Sequence, residues 1–231
     1  MSIISAKDVH FAYESEEVLK DINCEINSGD YIGIIGGNGV GKSTLIKLLL
    51  GELKATKGTI EKKYKNVGYI PQNAGQIAKD FPATVSEVVS TGLYKQVGLF
   101  RFLSKEHKKK ITNALNTVGM SEYKNRLIGK LSGGQQQRVM LAKMLVSEPE
   151  IIFLDEPQSG IDKATEKVLY DLLEMLNKEK KLTILMITHD ITGISKSVNR
   201  VFFLENSQLK EIPVEETCLY EHTHHHFGEE H

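Results

Sequence analysis

Apolar residues fall along this chain in runs of two kinds. The stretch YIGIIGGNGVGKSTLIKLLL, residues 31–50, opens as a β-branched run suited to a buried strand and closes as an apolar-rich helix, with a glycine-rich turn between them. Residues 151–156, IIFLDE, set four apolar positions before two carboxylates, the pattern of a buried strand that delivers acids at its C-terminal end. Elsewhere the spacing is helical. Val85, Val88, Val89 and Leu93 form an apolar stripe behind Thr84, a residue able to cap a helix. Ser132 is likewise a good N-cap, followed by two glycines and QQQRVMLAKMLV, whose apolar positions recur as a core-facing helix requires. Residues 1–71 read as strands around one helix, residues 72–147 as helix-rich, and residues 151–212 as strand, helix, strand, helix and closing strands. This predicts an α/β chain, with no internal repeat and no low-complexity linker.

Composition narrows the class. A length of 231 residues allows one large domain or two small ones, and 40% apolar with 26% charged residues is ordinary for a soluble protein. No apolar run approaches the roughly 20 residues that a bilayer-spanning helix needs. Lys7 and Asp8 interrupt the N-terminal MSIISAKDVHF early, so no secretory leader is expected and the expected compartment is the cytosol. Cys24 and Cys218 share no metal or redox spacing and are expected to be thiols. A net charge of -1 provides no global basic field for nucleic acid. The basic run KEHKKK, residues 105–110, reads as the solvated face of a helix running into ITNALNTVG.

The glycine-rich turn carries chemistry. Gly36, Gly41, Lys42 and Ser43 match G-x-x-x-x-G-K-[ST] between a predicted strand and a predicted helix. Across Gly36, Gly37, Asn38, Gly39, Val40, Gly41, Lys42, Ser43 and Thr44, the glycines let backbone N–H groups curl around a β-phosphate, and the new helix aims its partial positive end at the anion. The Lys42 ammonium is expected to reach the β- and γ-phosphates of ATP while the Ser43 hydroxyl ligates Mg2+, a hard cation that prefers oxygen. Asp155 is expected to face that magnesium through water, and Glu156 to polarise the attacking water, because open α/β sheets bind ligands at the C-terminal ends of their strands.

LSGGQQQR, residues 131–138, lies between this loop and the acidic strand. Together the three resemble an ATP-binding cassette ATPase, the motor subunit of ABC transporters, and the likeness runs from VHFAY to about Leu209. It implies a P-loop NTPase fold: a nucleotide-binding core of mixed sheet with an antiparallel β portion (residues 1–71 and 148–212) and a helical subdomain bearing the signature (72–147). Residues 213–231, rich in His and Glu, read from composition as a flexible, solvated tail. The resemblance assigns Tyr13 to adenine stacking, Gln72 to the magnesium site and its link to the membrane subunit, Asp162 to the dimer interface loop, and His189 to the γ-phosphate. It implies a head-to-tail homodimer on ATP binding, in which Ser132, Gly133, Gly134 and Gln135 of one copy meet the nucleotide held by the other. Gln158, Ser159 and Ile161 depart from common family residues without removing a catalytic group. Catalysis is then expected from Glu156, His189 and Lys42.

A single cassette without membrane helices resembles the separate ATPase of a prokaryotic transporter, peripheral on the cytoplasmic face of the membrane. Its partners would be integral-membrane permease subunits and, indirectly, an extracytoplasmic metal-binding protein. FPATVSEVVSTGL (residues 81–93) and VGMSEYKNRLIGKLSGGQQQR resemble the zinc and manganese importer branch, with iron-chelate and cobalamin importers related. An exporter and a regulatory protein with a vestigial ATPase are the other readings. Five of the eight histidines fall in EHTHHHFGEEH, residues 221–231. A tail without a role, a modified tag, and a cytosolic zinc sensor or buffer using Cys218, His222, His224, His225, His226 and His231 are the three readings of that end. Imidazoles favour zinc over manganese.

Overall fold

The computed structural model describes residues 1–72, 74, 77–97, 102–189 and 191–217. Two long strands, β1 (Ser2–Tyr13) and β2 (Glu16–Asn27), form an antiparallel pair, and β4 (Lys57–Lys62) adds to the other edge of β1. The second sheet runs in the order β5 (Val67–Ile70), β6 (Ile151–Asp155), β7 (Thr183–Ile187), β3 (Tyr31–Ile35), β8 (Arg200–Glu205) and β9 (Gln208–Ile212). Every pairing in it is parallel except β8 with β9. All five residues of β3, β6 and β7 are buried, as expected of central parallel strands covered on both faces.

Alternate side chains feed two separate cores. Ile32, Ile34, Ile151, Phe153, Leu185 and Ile187 point toward the antiparallel sheet and helix α1 (Lys42–Leu50). Tyr31, Ile35, Ile152, Leu154, Ile184 and Met186 point the other way, into a core shared with α5 (Gly133–Leu145) and α6 (Lys163–Lys180). The period of two along each strand therefore builds a layered α/β structure, the fold class expected from the sequence.

Between β5 and β6 the chain is helical: α2 (Val85–Ser90), α3 (Tyr94–Val97), α4 (Lys105–Thr117) and then α5, with α2 and α4 both packed on α5. After α6 a short α7 (Ile191–Ile194) follows β7. Local chemistry starts these helices where the sequence indicates. Thr84 accepts a bond from the Glu87 N–H while the Glu87 carboxylate accepts from the Thr84 N–H, and Ser132 and Gln135 exchange the same pair of bonds. The stripe of Val85, Val88, Val89 and Leu93 is buried, and Lys105 to Lys110 open α4, with Lys110 paired to Glu148 at 3.0 Å.

Candidate nucleotide site

Strand β3 ends at Ile35, and the chain turns at Gly36 with φ 149°. A Cβ at Gly36 would stand 2.2 Å from the Leu204 carbonyl oxygen, so glycine is required there for the loop to leave the sheet. Lys42, the first residue of α1, folds back over this loop, its Nζ donating to the carbonyls of Gly36 at 2.9 Å and Gly37 at 2.6 Å. The residue is only 6% exposed. Burial pushes its pKa below the ordinary lysine value, and the nearby carboxylates of Glu156 and Asp155 partly oppose that.

The acids come from the next strand but one. Asp155 ends β6 at 5% exposure. Burial raises its pKa; the Ser43 hydroxyl lowers it, the Glu156 charge raises it, and Lys42 lowers it. Glu156 takes left-handed backbone, φ 48°, with its N–H bonded to the Ile187 carbonyl on β7. That turn lifts its carboxylate out of the strand and between two polar side chains. Gln72 Nε2 donates to Glu156 Oε2 at 2.7 Å, and His189 Nε2 lies 2.6 Å from Oε1. A cleft of about 540 Å3 opens over these groups, lined by Asn38, Gly39, Gly41, Lys42, Ser43, Thr44, Gln72, Glu156 and His189. Its walls offer backbone amides and an ammonium for phosphate, with hydroxyl and carboxylate oxygens of the type that suits magnesium.

Other expected residues lie apart from that cleft. Tyr13 ends β1 with 47% exposure, its ring edge-on to Phe11 at 4.8 Å. Ser132, Gly133, Gly134 and Gln135 open α5, and Asp162 caps α6 by accepting the Thr165 N–H at 3.0 Å. Bonds from Thr165 hold the Asp162 carboxyl below its usual pKa. These two helix starts adjoin each other: the nearest atoms to a Cβ on Gly134 belong to Thr165. One chain thus carries the cleft and, separately, the adjoining starts of α5 and α6, where Gly134 lets Thr165 approach closely. Sequence patterning singled out neither Lys42's folded-back bonds nor the burial of Gln136, whose position within QQQ gives no local sign of it. Among the described residues no cluster of three or more His, Cys, Asp or Glu is arranged to hold a metal ion. The expected zinc ligands Cys218, His222, His224, His225, His226 and His231 lie outside the described residues.

The sequence profile of the ABC transporter family matches residues 19–159, which include the loop, the signature and the acidic strand. The chain belongs to the ABC transporter family. This ATP-binding cassette is 42% identical over 208 residues to the zinc uptake system ATP-binding protein ZurA of Listeria innocua, covering 86% of this chain and 81% of that one. It is 38% identical over 232 residues to the manganese transport system ATP-binding protein MntB of Bacillus subtilis, covering 97% and 92%. Among solved structures it is similar to an inward-facing ABC transporter of metal-chelate type (TM-score 0.85, 27% identity, 94% of this chain and 85% of that one). A bacterial ABC transporter cassette solved as a dimer is also similar, with TM-score 0.76 and 26% identity over 92% of this chain and 99% of that one. The cassette is accordingly an ATPase, and no helix among its described residues is long and apolar enough to cross a membrane.

Proposed function

We propose that this cassette is the ATP-hydrolysing subunit of a transporter that imports a divalent metal, zinc first and manganese next. The observation that carries the metal assignment is its identity to the zinc and manganese transport ATP-binding proteins over most of its length. Two copies would dock on membrane permease subunits at the cytoplasmic face, supplied with metal by an extracytoplasmic binding protein. Within each copy the core (residues 1–71 and 148–212) holds nucleotide, and the helical subdomain (72–147) presents the signature to the other copy.

In this reading ATP enters the cleft with adenine against Tyr13 and its phosphates on the loop amides of residues 36–44. Lys42 exchanges two loop carbonyls for phosphate oxygens. Its burial makes that exchange favourable, because a poorly solvated ammonium gains more from an anion than a hydrated one does. Ser43, Asp155 and Gln72 would hold Mg2+, which when bound neutralises phosphate charge. Glu156 accepts a hydrogen bond from the attacking water and draws off its proton as the water oxygen bonds to the γ-phosphorus and the bond to the β-phosphate oxygen breaks. Gln72 and His189, which grip the Glu156 carboxylate at 2.7 and 2.6 Å, orient it, and His189 would turn toward the γ-phosphate. Ser132, Gly133, Gly134 and Gln135 of the second copy close the site, with Asp162 at the joint. This leaves the phosphoryl group bounded by donors on both sides.

The His-rich end fits the same reading as a weak zinc site that tunes ATPase activity. Identical zinc titrations with and without residues 218–231 would remove that part. The main test replaces the native chain by Glu156→Gln in its host on limiting metal and measures cellular zinc, manganese and iron by elemental mass spectrometry. A selective fall in zinc is expected. A fall in manganese alone would move the cargo to manganese, a fall in iron alone to a metal chelate, and no change in any would refute metal import.

A further inference from the structure

One buried amide lies outside the chemistry above. Gln136, in the first turn of α5, is 5% exposed. Its Oε1 accepts the Ile77 N–H at 3.0 Å, and its Nε2 donates to the carbonyls of Ile128 at 3.2 Å and Leu131 at 3.4 Å. One side chain therefore joins three segments: the stretch that follows Gln72, the turn that leads into Ser132, and α5 itself. An independent contact binds the first two. A Cβ on Gly129 would stand 2.4 Å from the Lys79 carbonyl oxygen and 2.7 Å from that of Ala78, so the two backbones touch where only glycine fits. Further along, Ile128 N–H bonds to the Ala83 carbonyl and Val85 N–H to that of Arg126, extending the seam.

The amide is informative because an apolar side chain would pack at this helix face without desolvating a polar group. A buried glutamine is tolerated only when its bonds are made, and what those bonds add is direction. At one end of this connection Gln72 grips Glu156; at the other, Ser132 caps the helix start.

We propose that Gln136 is a positioning residue for ATP hydrolysis, the strut that ties the backbone at Ile77, five residues past Gln72, to the helix start carrying Ser132. The proposal rests on the roles given above to Gln72 and Ser132.

The test uses the full-length chain with Gln136→Met, which keeps the volume and removes all three bonds. Equilibrium binding of a fluorescent ATP analogue is expected to stay within about twofold of wild type, whereas kcat falls roughly ten- to hundredfold through misplacement alone. In a Glu156→Gln background the same change weakens ATP-driven dimerisation. A kcat within about twofold of wild type overturns the proposal, and so does a parallel fall of binding, kcat and melting temperature, which would mark a purely structural amide. Should Gln136→Met fail to fold, Gln136→Glu keeps the acceptor for Ile77, loses both donors, and is read against the same outcomes. A wild-type sample, run alongside, that neither hydrolyses ATP nor dimerises would instead refute the roles of Gln72 and Ser132, and the strut with them.

Discussion

Lys42→Met should weaken ATP binding while leaving the nucleotide-free fold as stable as before. In the free chain the ammonium has two carbonyl partners, at 2.9 and 2.6 Å, yet it is buried enough for its pKa to be depressed. Removing it forfeits two charge-assisted hydrogen bonds but also relieves the desolvation of a buried cation, and these opposing changes largely offset each other. No such cancellation applies once phosphate is bound. Loss of the ammonium–phosphate contacts costs about 2–4 kcal/mol, or roughly 30- to 1,000-fold in Kd. The paired assays are thermal unfolding without nucleotide and calorimetric titration with ATP. Alkaline pH supplies a sign check. The folded chain releases this proton before the unfolded chain does, so wild type gains stability relative to Lys42→Met as pH rises through the depressed value toward the ordinary 10.5. Unchanged ATP affinity, or a melting temperature lowered by more than about 8 °C, would rule out this role for the Lys42 ammonium, since the latter corresponds to over 2 kcal/mol in a chain of this size.

Three further outcomes follow from the same structure. Burial raises the Asp155 pKa above the ordinary 3.8, so its ionised form costs stability above the folded value and that cost is relieved as pH falls. Asp155→Asn should therefore stabilise the free chain at neutral pH, a gain that shrinks on acidification in urea titrations, while magnesium-dependent ATP binding is lost. Gly134→Ala sets a Cβ 2.0 Å from Thr165 Cγ2 and should cost about 1–3 kcal/mol in denaturant unfolding. Adding Thr165→Ser, which removes that methyl and keeps the hydroxyl on Asp162, should restore part of it. Arg200 donates to both Glu211 oxygens at 2.7 Å and to Asp30 at 2.6 Å, tying β8 to β9 and to the start of β3. Arg200→Gln should cost about 2 kcal/mol at pH 7. Because Arg200 holds Glu211 below its ordinary 4.5, that difference from wild type should persist above pH 4.5 and diminish as pH falls through the lower folded value.

The local grammar of the chain was legible where short-range chemistry decides. The glycine-rich turn sits between a buried strand and α1, Thr84 and Ser132 start helices through reciprocal caps, and the 151–156 run ends as a strand with Asp155 at its tip. Strand order was not legible. That β3 lies between β7 and β8, pairing Tyr31 with Ile184 and Ile32 with Arg200, depends on contacts more than a hundred residues apart, which no local period encodes. The site shows the same division. Glu156 and His189 could be read individually from their motifs, but their 2.6 Å contact needs the left-handed turn at Glu156 and the adjacency of β6 to β7. Gln136 illustrates the limit most clearly: of three glutamines in a row Gln136 and Gln137 are buried and Gln135 is not, and only packing decides which amides are buried and what they bond.

In the proposed mechanism Glu156, oriented by Gln72 and His189, drives hydrolysis in a cleft completed by a second copy. The most direct measurement follows Glu156→Gln by steady-state ATP turnover and by light scattering of the size-fractionated protein with ATP present. Undiminished ATP binding, a stable ATP-dependent dimer, and turnover lowered by roughly 10²- to 10⁴-fold are expected of this mechanism. Turnover near wild type, or a chain that stays monomeric with ATP bound, would contradict it.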